Sequence, residues 1–388
     1  MFVEHLGSGG AEKVAVNLAN GLAARGFSVD MLMWRGGGVN EKDLAPNVGV
    51  INFSGAGSKK PGALGAISLL AKYHRRYRPV TVFAHLEKPS IVAIIAGLLA
   101  GSRVTIPCIH IDLITYAKIN HPIKRGILNA AVMVFYPLAP RVIAVSQGAA
   151  DAAKRLIFLS KKSVHVIYNG FDLSRLKAIS LREVAQPWLN IRDVPVIISC
   201  GRLQQQKAFD VLLRAFAALR GKRAARLIIL GEGPEHERLR GLAGTLGIAA
   251  DVMLPGFVPD PISWFAKSDL FVMSSRCEGH PLVLIEALVS GVPVISTDCP
   301  SGPREVLGDG RFGELVAVDD VDALSAAMSR AIETRPAIDQ AAVAEHLKKF
   351  SLTGMIDGYE ALVDARDRSA GPNVRNAAPA PAIAPVAE

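Results

Sequence analysis

Ser274 to Leu307, SSRCEGHPLVLIEALVSGVPVISTDCPSGPREVL, decides how the rest of the chain is read. Just before it, Asp269 to Ser275 (DLFVMSS) is an apolar run of strand length, the pattern of a strand buried on both faces of a parallel sheet. The loop RCEGHP follows. Pro281 sits where a first helical turn tolerates a missing N–H, and PLVLIEALVSG runs as a helix to Gly291, a residue suited to ending one. PVISTD is the next strand, and PREVL, with Arg304 and Glu305, opens another helix. Strand, helix, strand in this order is a parallel-sheet unit.

Two carboxylates frame the unit: Glu278 in the loop and Glu286 in the helix, with seven residues between them. Glu286 stands among Ile285, Ala287 and Leu288, and a buried carboxylate must find partners because an unpaired buried charge is costly. A salt bridge or a favourable helix-end charge is the simpler reading. The loop, however, holds Gly279 and Pro281, which leave backbone N–H groups open at the helix start, a place that suits a phosphate. A carboxylate beside a phosphate cradle can accept hydrogen bonds from sugar hydroxyls. Two of them flanking such a cradle suggest a sugar nucleotide.

The Glu, seven residues, Glu spacing before A-x-x-x-G-x-P-V-I-x-T-D resembles the retaining nucleotide-sugar glycosyltransferases of family four, which have the GT-B fold and include many bacterial glycan-assembly enzymes. The resemblance implies two Rossmann-like, doubly wound parallel-sheet domains facing a cleft. It places Glu278 on the donor sugar and Glu286 on the nucleotide ribose. The similarity extends to GRLQQQK, Gly201 to Lys207, which matches G-R-L-x-x-x-K. There Arg202, a planar bidentate fork, and Lys207, a mobile point charge, suit a diphosphate. Ala208 stands where the family usually has glycine. Gly231 and Gly233 match its donor-side loop, and Val258, in Gly256-Phe257-Val258, falls where relatives meet the nucleobase. Gly9 and Gly10, in GGAE, fall where the family approaches the donor diphosphate. A histidine facing the transferred sugar corresponds to His110.

The bulk properties agree with a two-domain chain. Its 388 residues favour two domains over one, and half of them are hydrophobic. The charge is uneven: residues 1–170 carry 20 Lys+Arg against 8 Asp+Glu, a net of +12, and the remainder is −3. KYHRRYR (Lys72 to Arg78) and KINHPIKR (Lys118 to Arg125) supply much of the excess, which suggests an anionic partner. The four cysteines are scattered without a C-x-x-C, so free thiols in a reducing compartment are expected rather than a zinc ribbon or a disulfide scaffold. No signal peptide is visible. The longest apolar run, Ile91 to Gly101, is too short for a bilayer, which needs about 20 residues, and Ile127 to Val145 is interrupted by Asn129, Pro137, Pro140 and Arg141. A cytoplasmic protein is expected, with peripheral attachment of the basic half to an anionic membrane surface and no nucleic-acid partner.

Along the chain, Met1 to Val3 reads as the tail of a first strand. GSGGAEKVAVNLANGLAARG opens a helix with Val14, Leu18 and Leu22 on one face. Its glycines resemble a dinucleotide fingerprint, but the third glycine is missing and no ribose carboxylate follows. Strands are expected at Phe27 to Trp34, Gly49 to Phe53, Val80 to Ala84 and Val104 to Ile109. His110 follows the last, where open α/β sheets bind ligands, and His85 has the same geometry at the end of TVFAH. Ser146 reads as a helix N-cap. The boundaries expected are 1–172 for an acceptor-side domain and 173–345 for a nucleotide-sugar domain, with a linker over Leu173 to Asp193. A helix over 346–365 crosses back to the first domain, and a disordered Ala/Pro-rich tail spans 366–388.

These readings converge on transfer of a sugar from a nucleoside diphosphate sugar, a UDP-sugar, to a lipid-linked or glycan acceptor. No cofactor or metal is required, because Arg202 and Lys207 take the cation's role; the D-x-D at Asp320 to Asp322 reads as a helix cap. Other readings stay open: an epimerase or phosphorylase of the same architecture, a non-catalytic basic module for membranes or nucleic acid, and an NAD-dependent dehydrogenase.

Overall fold

The computed structural model describes residues 1–7, 9–54, 61–119, 122–157, 164–191 and 193–363. The tail expected over 366–388 lies outside them. The chain divides into two compact units. One comprises Met1–Ile114, Pro122–Gly170 and Leu352–Glu388, the other Thr115–His121 and Phe171–Ser351.

The first unit holds seven strands: β1 (Phe2–Val3), β2 (Asp30–Met33), β3 (Gly49–Asn52), β4 (Val82–His85), β5 (Thr105–Ile109), β6 (Val142–Ala144) and β7 (Val164–Val166). They pair in parallel in the order β3-β2-β1-β4-β5-β6-β7. The order reverses between β1 and β4, and at such a switch point the C-terminal strand ends open onto a crevice. Helices cover both faces. Leu32, Trp34, Leu70, Tyr73 and Val92 form one core, and Ile94, Ile109, Val132, Tyr136 and Val142 the other. Ser146 caps the helix Gln147–Ile157 through the Ala149 N–H, at 3.2 Å.

The second unit repeats the plan with six strands: β8 (Val196–Cys200), β9 (Arg226–Leu230), β10 (Val252–Gly256), β11 (Leu270–Met273), β12 (Val294–Thr297) and β13 (Glu314–Val316). Their parallel order is β10-β9-β8-β11-β12-β13, with the switch between β8 and β11. The deciding stretch folds as read: β11, a loop, the helix Leu282–Ser290 ended by Gly291 at φ 88°, then β12. Pro281 is the N-cap rather than the first helical residue. Asp320 caps the helix Val321–Thr334 through the Ala323 N–H, at 2.8 Å.

Two expectations are corrected. The segment 173–193 is not a plain linker: Asp172 accepts the Arg175 N–H at 2.9 Å and starts the helix Leu173–Ser180, and a second helix spans Pro187–Ile191. With Leu176 the main buried apolar residue of the first, the helical period is too short to stand out in sequence. Nor is 346–365 one helix. Gln340–Leu347 and Leu352–Glu360 are separate, because Ser351 is drawn into a parallel bridge with Phe171 and the Phe171 N–H donates to the Phe350 carbonyl at 2.9 Å. The helix Leu352–Glu360 belongs to the first unit, where Arg25 on the helix Gly10–Ala24 side pairs with Asp357 (2.6 Å) and Glu360 (2.5 Å).

Candidate active site

In the second unit the loops leaving β8, β9, β10 and β11 are laced together at the C-terminal edge of the sheet. Gly201 N–H donates to the Leu230 carbonyl (2.9 Å), Leu203 N–H to the Glu232 carbonyl (2.8 Å) and Gly231 N–H to the Gly256 carbonyl (2.8 Å). Gly231, at φ 129°, and Gly233 are required by this closeness. A Cβ on the first would stand 2.1 Å from the Gly201 carbonyl oxygen, and one on the second 2.3 Å from that of Leu203. Val258 is half-buried in the loop after β10. Across the switch point, Arg276 N–H donates to the Gln206 carbonyl, Gln206 Nε2 to the Cys277 carbonyl and Ser274 Oγ to the Lys207 carbonyl, each at 2.8 Å. Arg276 also pairs with Asp319 at 2.7 Å.

This lacing brings Lys207 to Glu278. Lys207 Nζ donates to Glu278 Oε1 at 2.5 Å, with the two side chains 19% and 8% exposed. Ser275 Oγ donates to the same carboxylate oxygen at 2.7 Å, and Ser301 Oγ holds the Glu278 carbonyl at 2.7 Å. Burial acts to lower the Lys207 pKa, but the charge and hydrogen bond of Glu278 outweigh it and hold the ammonium above its ordinary value. Gly201 matters here too, since a Cβ there would lie 3.3 Å from Lys207 Cε. Ala208, where glycine was noted as usual, adopts the left-handed conformation at φ 50°. For an L-residue this costs about 1–2 kcal/mol, so the turn that aims Lys207 is held under strain.

Arg202 is exposed and makes no hydrogen bond or ion pair among the described residues. Its five donors are open. Gly279 leads into the helix Leu282–Ser290, whose start carries no side-chain cap, leaving first-turn N–H groups available. Glu286 is half-buried rather than deep in the core. It lies near the end of β8: burial, and then the Glu286 charge, push the Cys200 thiol up to about 12.

The first unit presents a different set. Gly9 is the N-cap of the helix Gly10–Ala24, again without a side-chain cap, but Glu12 occupies the first turn and faces His5 Nδ1 at 3.7 Å. The helix end thus already has a carboxylate beside it. His110 is half-buried one residue past β5, and its Nε2 lies 2.9 Å from Nδ1 of the buried His85. Burial lowers both: His110 to about 4 and His85 well below the usual histidine range, with the neighbouring His110 adding to the latter shift.

The sequence-based candidates therefore gather at two sheet edges. Arg202, Lys207, Gly231, Gly233, Val258, Gly279, Glu278 and Glu286 belong to the second unit, and Gly9, Gly10 and His110 to the first. Sequence reasoning missed Ser275 and Ser301 as supports of Glu278, although the runs SSRCE and CPSG carry both serines. It gave His85 the same strand-end geometry as His110 without seeing that they touch.

The Glycosyltransferase Family 4 model matches residues 8–175, and the model described as Glycosyl transferases group 1 matches residues 182–350. Over 344 residues the chain is 29% identical to a Campylobacter jejuni enzyme named N-acetylgalactosamine-N,N'-diacetylbacillosaminyl-diphospho-undecaprenol 4-alpha-N-acetylgalactosaminyltransferase, covering 86% of this chain and 89% of that one. It is 26% identical over 368 residues to the lipopolysaccharide core biosynthesis glycosyltransferase LpsE of Rhizobium meliloti, covering 93% and 98%. Its fold matches that of Anabaena HepE, solved in complex with UDP-glucose, with a TM-score of 0.75 at 21% identity, covering 93% of this chain and 98% of that one. With two doubly wound parallel sheets and family models that between them account for both halves, the chain belongs to the family 4 glycosyltransferases of GT-B fold.

Proposed function

We propose that the protein transfers a sugar from a nucleoside diphosphate sugar, a UDP-sugar, to a lipid-linked or glycan acceptor in bacterial glycan assembly, with retention of configuration. The observation that carries this reading is the Lys207–Glu278 pair at the β8/β11 switch point, at the same sheet edge as an uncapped helix start and as the exposed Arg202, which has no partner among the described residues. Lys207 has three N–H donors and gives one to Glu278. The other two, with the Arg202 fork and the N–H groups following Gly279, suit the charge that grows on a leaving diphosphate. No metal is needed for that role in this scheme. Glu278 keeps oxygen lone pairs for sugar hydroxyls, and Glu286 serves the ribose. Lys207 and Ser275 both donate to Oε1 of Glu278, which fixes the carboxylate and leaves Oε2 to position the sugar hydroxyls. The names of the C. jejuni and R. meliloti relatives support the glycan-assembly setting, and the HepE complex supports UDP-glucose chemistry.

The acceptor side of the reading includes an anionic lipid surface. The helix Pro122–Phe135 turns Ile123 (82% exposed), Ile127 (68%) and Val134 (62%) outward on one stripe, with Lys124 exposed beside them. Residues 113–150 contain four Lys or Arg and no Asp or Glu. An apolar stripe in a basic, acid-free stretch suits the headgroup region of an anionic bilayer. No helix of the described residues is long and apolar enough to cross it. The four cysteines are free thiols, as suits a reducing compartment such as the cytoplasm.

The test is a thermal-shift panel of nucleotide sugars followed by product analysis with the labelled hit. A true donor stabilises by mass action, about 2.7 kcal/mol at 100-fold its Kd. Transfer of label to an isolated lipid-linked glycan with the anomeric configuration kept is expected. A panel with no stabilising nucleotide sugar, or label that ends in an epimer or a sugar phosphate, overturns the reading.

A further inference from the structure

We propose that His85 is a positioning residue that locks the His110 imidazole in one tautomer, so that His110 meets its ligand through Nδ1–H as a neutral hydrogen-bond donor and never as a base. The inference rests on the reading that His110 faces the carbohydrate. It adds which atom does so and in which protonation state.

The juxtaposition follows from the sheet. β4 and β5 are adjacent and parallel, with His85 in register with Cys108. Cys108 and His110 are two residues apart, so all three side chains share a face. On that face Tyr359 of the helix Leu352–Glu360 stacks on His85, with ring centroids 6.5 Å apart and planes 20° apart, and donates its hydroxyl to Cys108 Sγ at 3.7 Å. Phe83 meets the edge of the same tyrosine at 5.0 Å. His85 is 1% exposed and cannot swing away.

A nitrogen-to-nitrogen contact of 2.9 Å needs one N–H and one lone pair. Burial keeps both rings neutral, so each carries a single proton. Two arrangements remain. In one, His110 Nε2–H donates to His85 Nδ1, and the proton of His85 must then sit on Nε2. That atom is buried and has no partner among the described residues, so the arrangement strands an N–H in the core. In the other, His85 Nδ1–H donates to His110 Nε2, and only a lone pair of His85 is stranded. Orphaned buried N–H groups are the rarer and costlier of the two. The second arrangement therefore holds, and the proton of His110 sits on Nδ1, which has no protein partner among the described residues. The one lone pair of His110 is occupied by His85, so the ring has no site from which to take a proton. Its ligand must offer an oxygen lone pair, as a sugar hydroxyl or a phosphate oxygen does.

The experiment reads the tautomer first. Long-range 1H–15N spectra of the wild-type protein labelled in its histidines, with His110 assigned by loss of its signals in His110→Asn, should show a protonated Nδ1 and a bare Nε2 at pH 7.5. A protonated Nε2 overturns the proposal whatever the enzyme does. Kinetics then read the role. In His85→Asn the amide nitrogen occupies the place of Nδ1 and can still donate, so kcat/KM for the donor should stay within about threefold of wild type. His85→Leu removes the donor and should lower it at least tenfold with an unchanged circular dichroism spectrum. At position 110, asparagine should retain more activity than glutamine, since only the former places a donor at Nδ1. Equal losses in His85→Asn and His85→Leu would reduce His85 to a packing role and overturn the proposal. If all position-110 variants transfer at the wild-type rate while the Nδ1 proton is present, what fails is the assignment of His110 to the carbohydrate, not the tautomer.

Discussion

At the C-terminal edge of the second sheet an ammonium and a carboxylate meet at 2.5 Å, whereas at the same edge of the first sheet two neutral imidazoles meet at 2.9 Å. Both pairs stand at or beside a switch point of a doubly wound parallel sheet, and both are mostly buried. The difference lies in what surrounds them. In the second unit the lacing of four loops supplies Ser275, the open Arg202 and an uncapped helix start, so charge is tolerated and concentrated. In the first unit the buried His85, stacked on Tyr359, faces the half-buried His110 at the strand ends, so charge is expelled and the imidazoles stay neutral. One architecture thus holds an ion pair at one sheet edge and two neutral imidazoles at the other, and the side chains at a few strand ends decide which.

The largest effect is expected where the charged pair is broken. Lys207→Met should lower turnover at least a hundredfold, about 2.7 kcal/mol of barrier. It should also destabilise the protein by about 3 kcal/mol, because Glu278 is left buried and unpaired. Adding Glu278→Gln should recover most of the lost Tm in calorimetry and none of the rate. Recovery of both would mean that the pair is structural only. Next comes Arg202→Ala, which should cost about tenfold in turnover, about 1.4 kcal/mol, with Tm unchanged, because the exposed guanidinium makes no hydrogen bond or ion pair among the described residues. Equal Tm losses at 202 and 207 would erase the distinction drawn between them.

Acidification should separate the two units. Burial depresses His74 to about 4, His110 to about 4 and His85 well below the usual range in the first unit, and His280 to about 3 in the second. A histidine whose folded pKa lies below its unfolded value of about 6.5 contributes stability that is present above pH 6.5 and lost as pH falls toward the folded value. Between pH 7 and pH 5 amide protection factors, corrected for the slower intrinsic exchange at low pH, should therefore fall more in β4, β5 and the helix Ala63–Tyr77 than in β8 and β11. A uniform fall would show that the histidines are not responsible. The smallest effect belongs to the exposed helix. Ile127→Asp with Val134→Asp should weaken sedimentation with phosphatidylglycerol vesicles several-fold and leave turnover on a detergent-solubilised acceptor unchanged. Wild-type sedimentation, or a change only in oligomeric state, would assign that face to another chain rather than to lipid.

Much of this was legible in the sequence because it is encoded locally. Alternating apolar runs and helical periods announced two parallel sheets. Gly291 stopped its helix where a left-handed residue was needed, and Ser146 and Asp320 capped theirs through bonds spanning three residues. The G-R-L-x-x-x-K loop and the two glutamates at fixed spacing carried the proposed donor-side chemistry as resemblance and as charge, and the structure adds that Lys207 meets Glu278. The helix Leu173–Ser180 and the break at Ser351 escaped notice, since the first is too short to show a period and the second depends on pairing with Phe171.

What no stretch of sequence contained is which strand lies beside which. Lys207 and Glu278 are 71 residues apart, and they meet because β8 hydrogen-bonds to β11 rather than only to its neighbour in sequence. His85 and His110 meet because β4 and β5 pair in one register, and a slip of one residue would turn them to opposite faces. Composition and period determined the elements and named the candidate groups. Strand order and register decided which of those groups face each other, because backbone pairing between distant segments leaves no trace in local side-chain pattern.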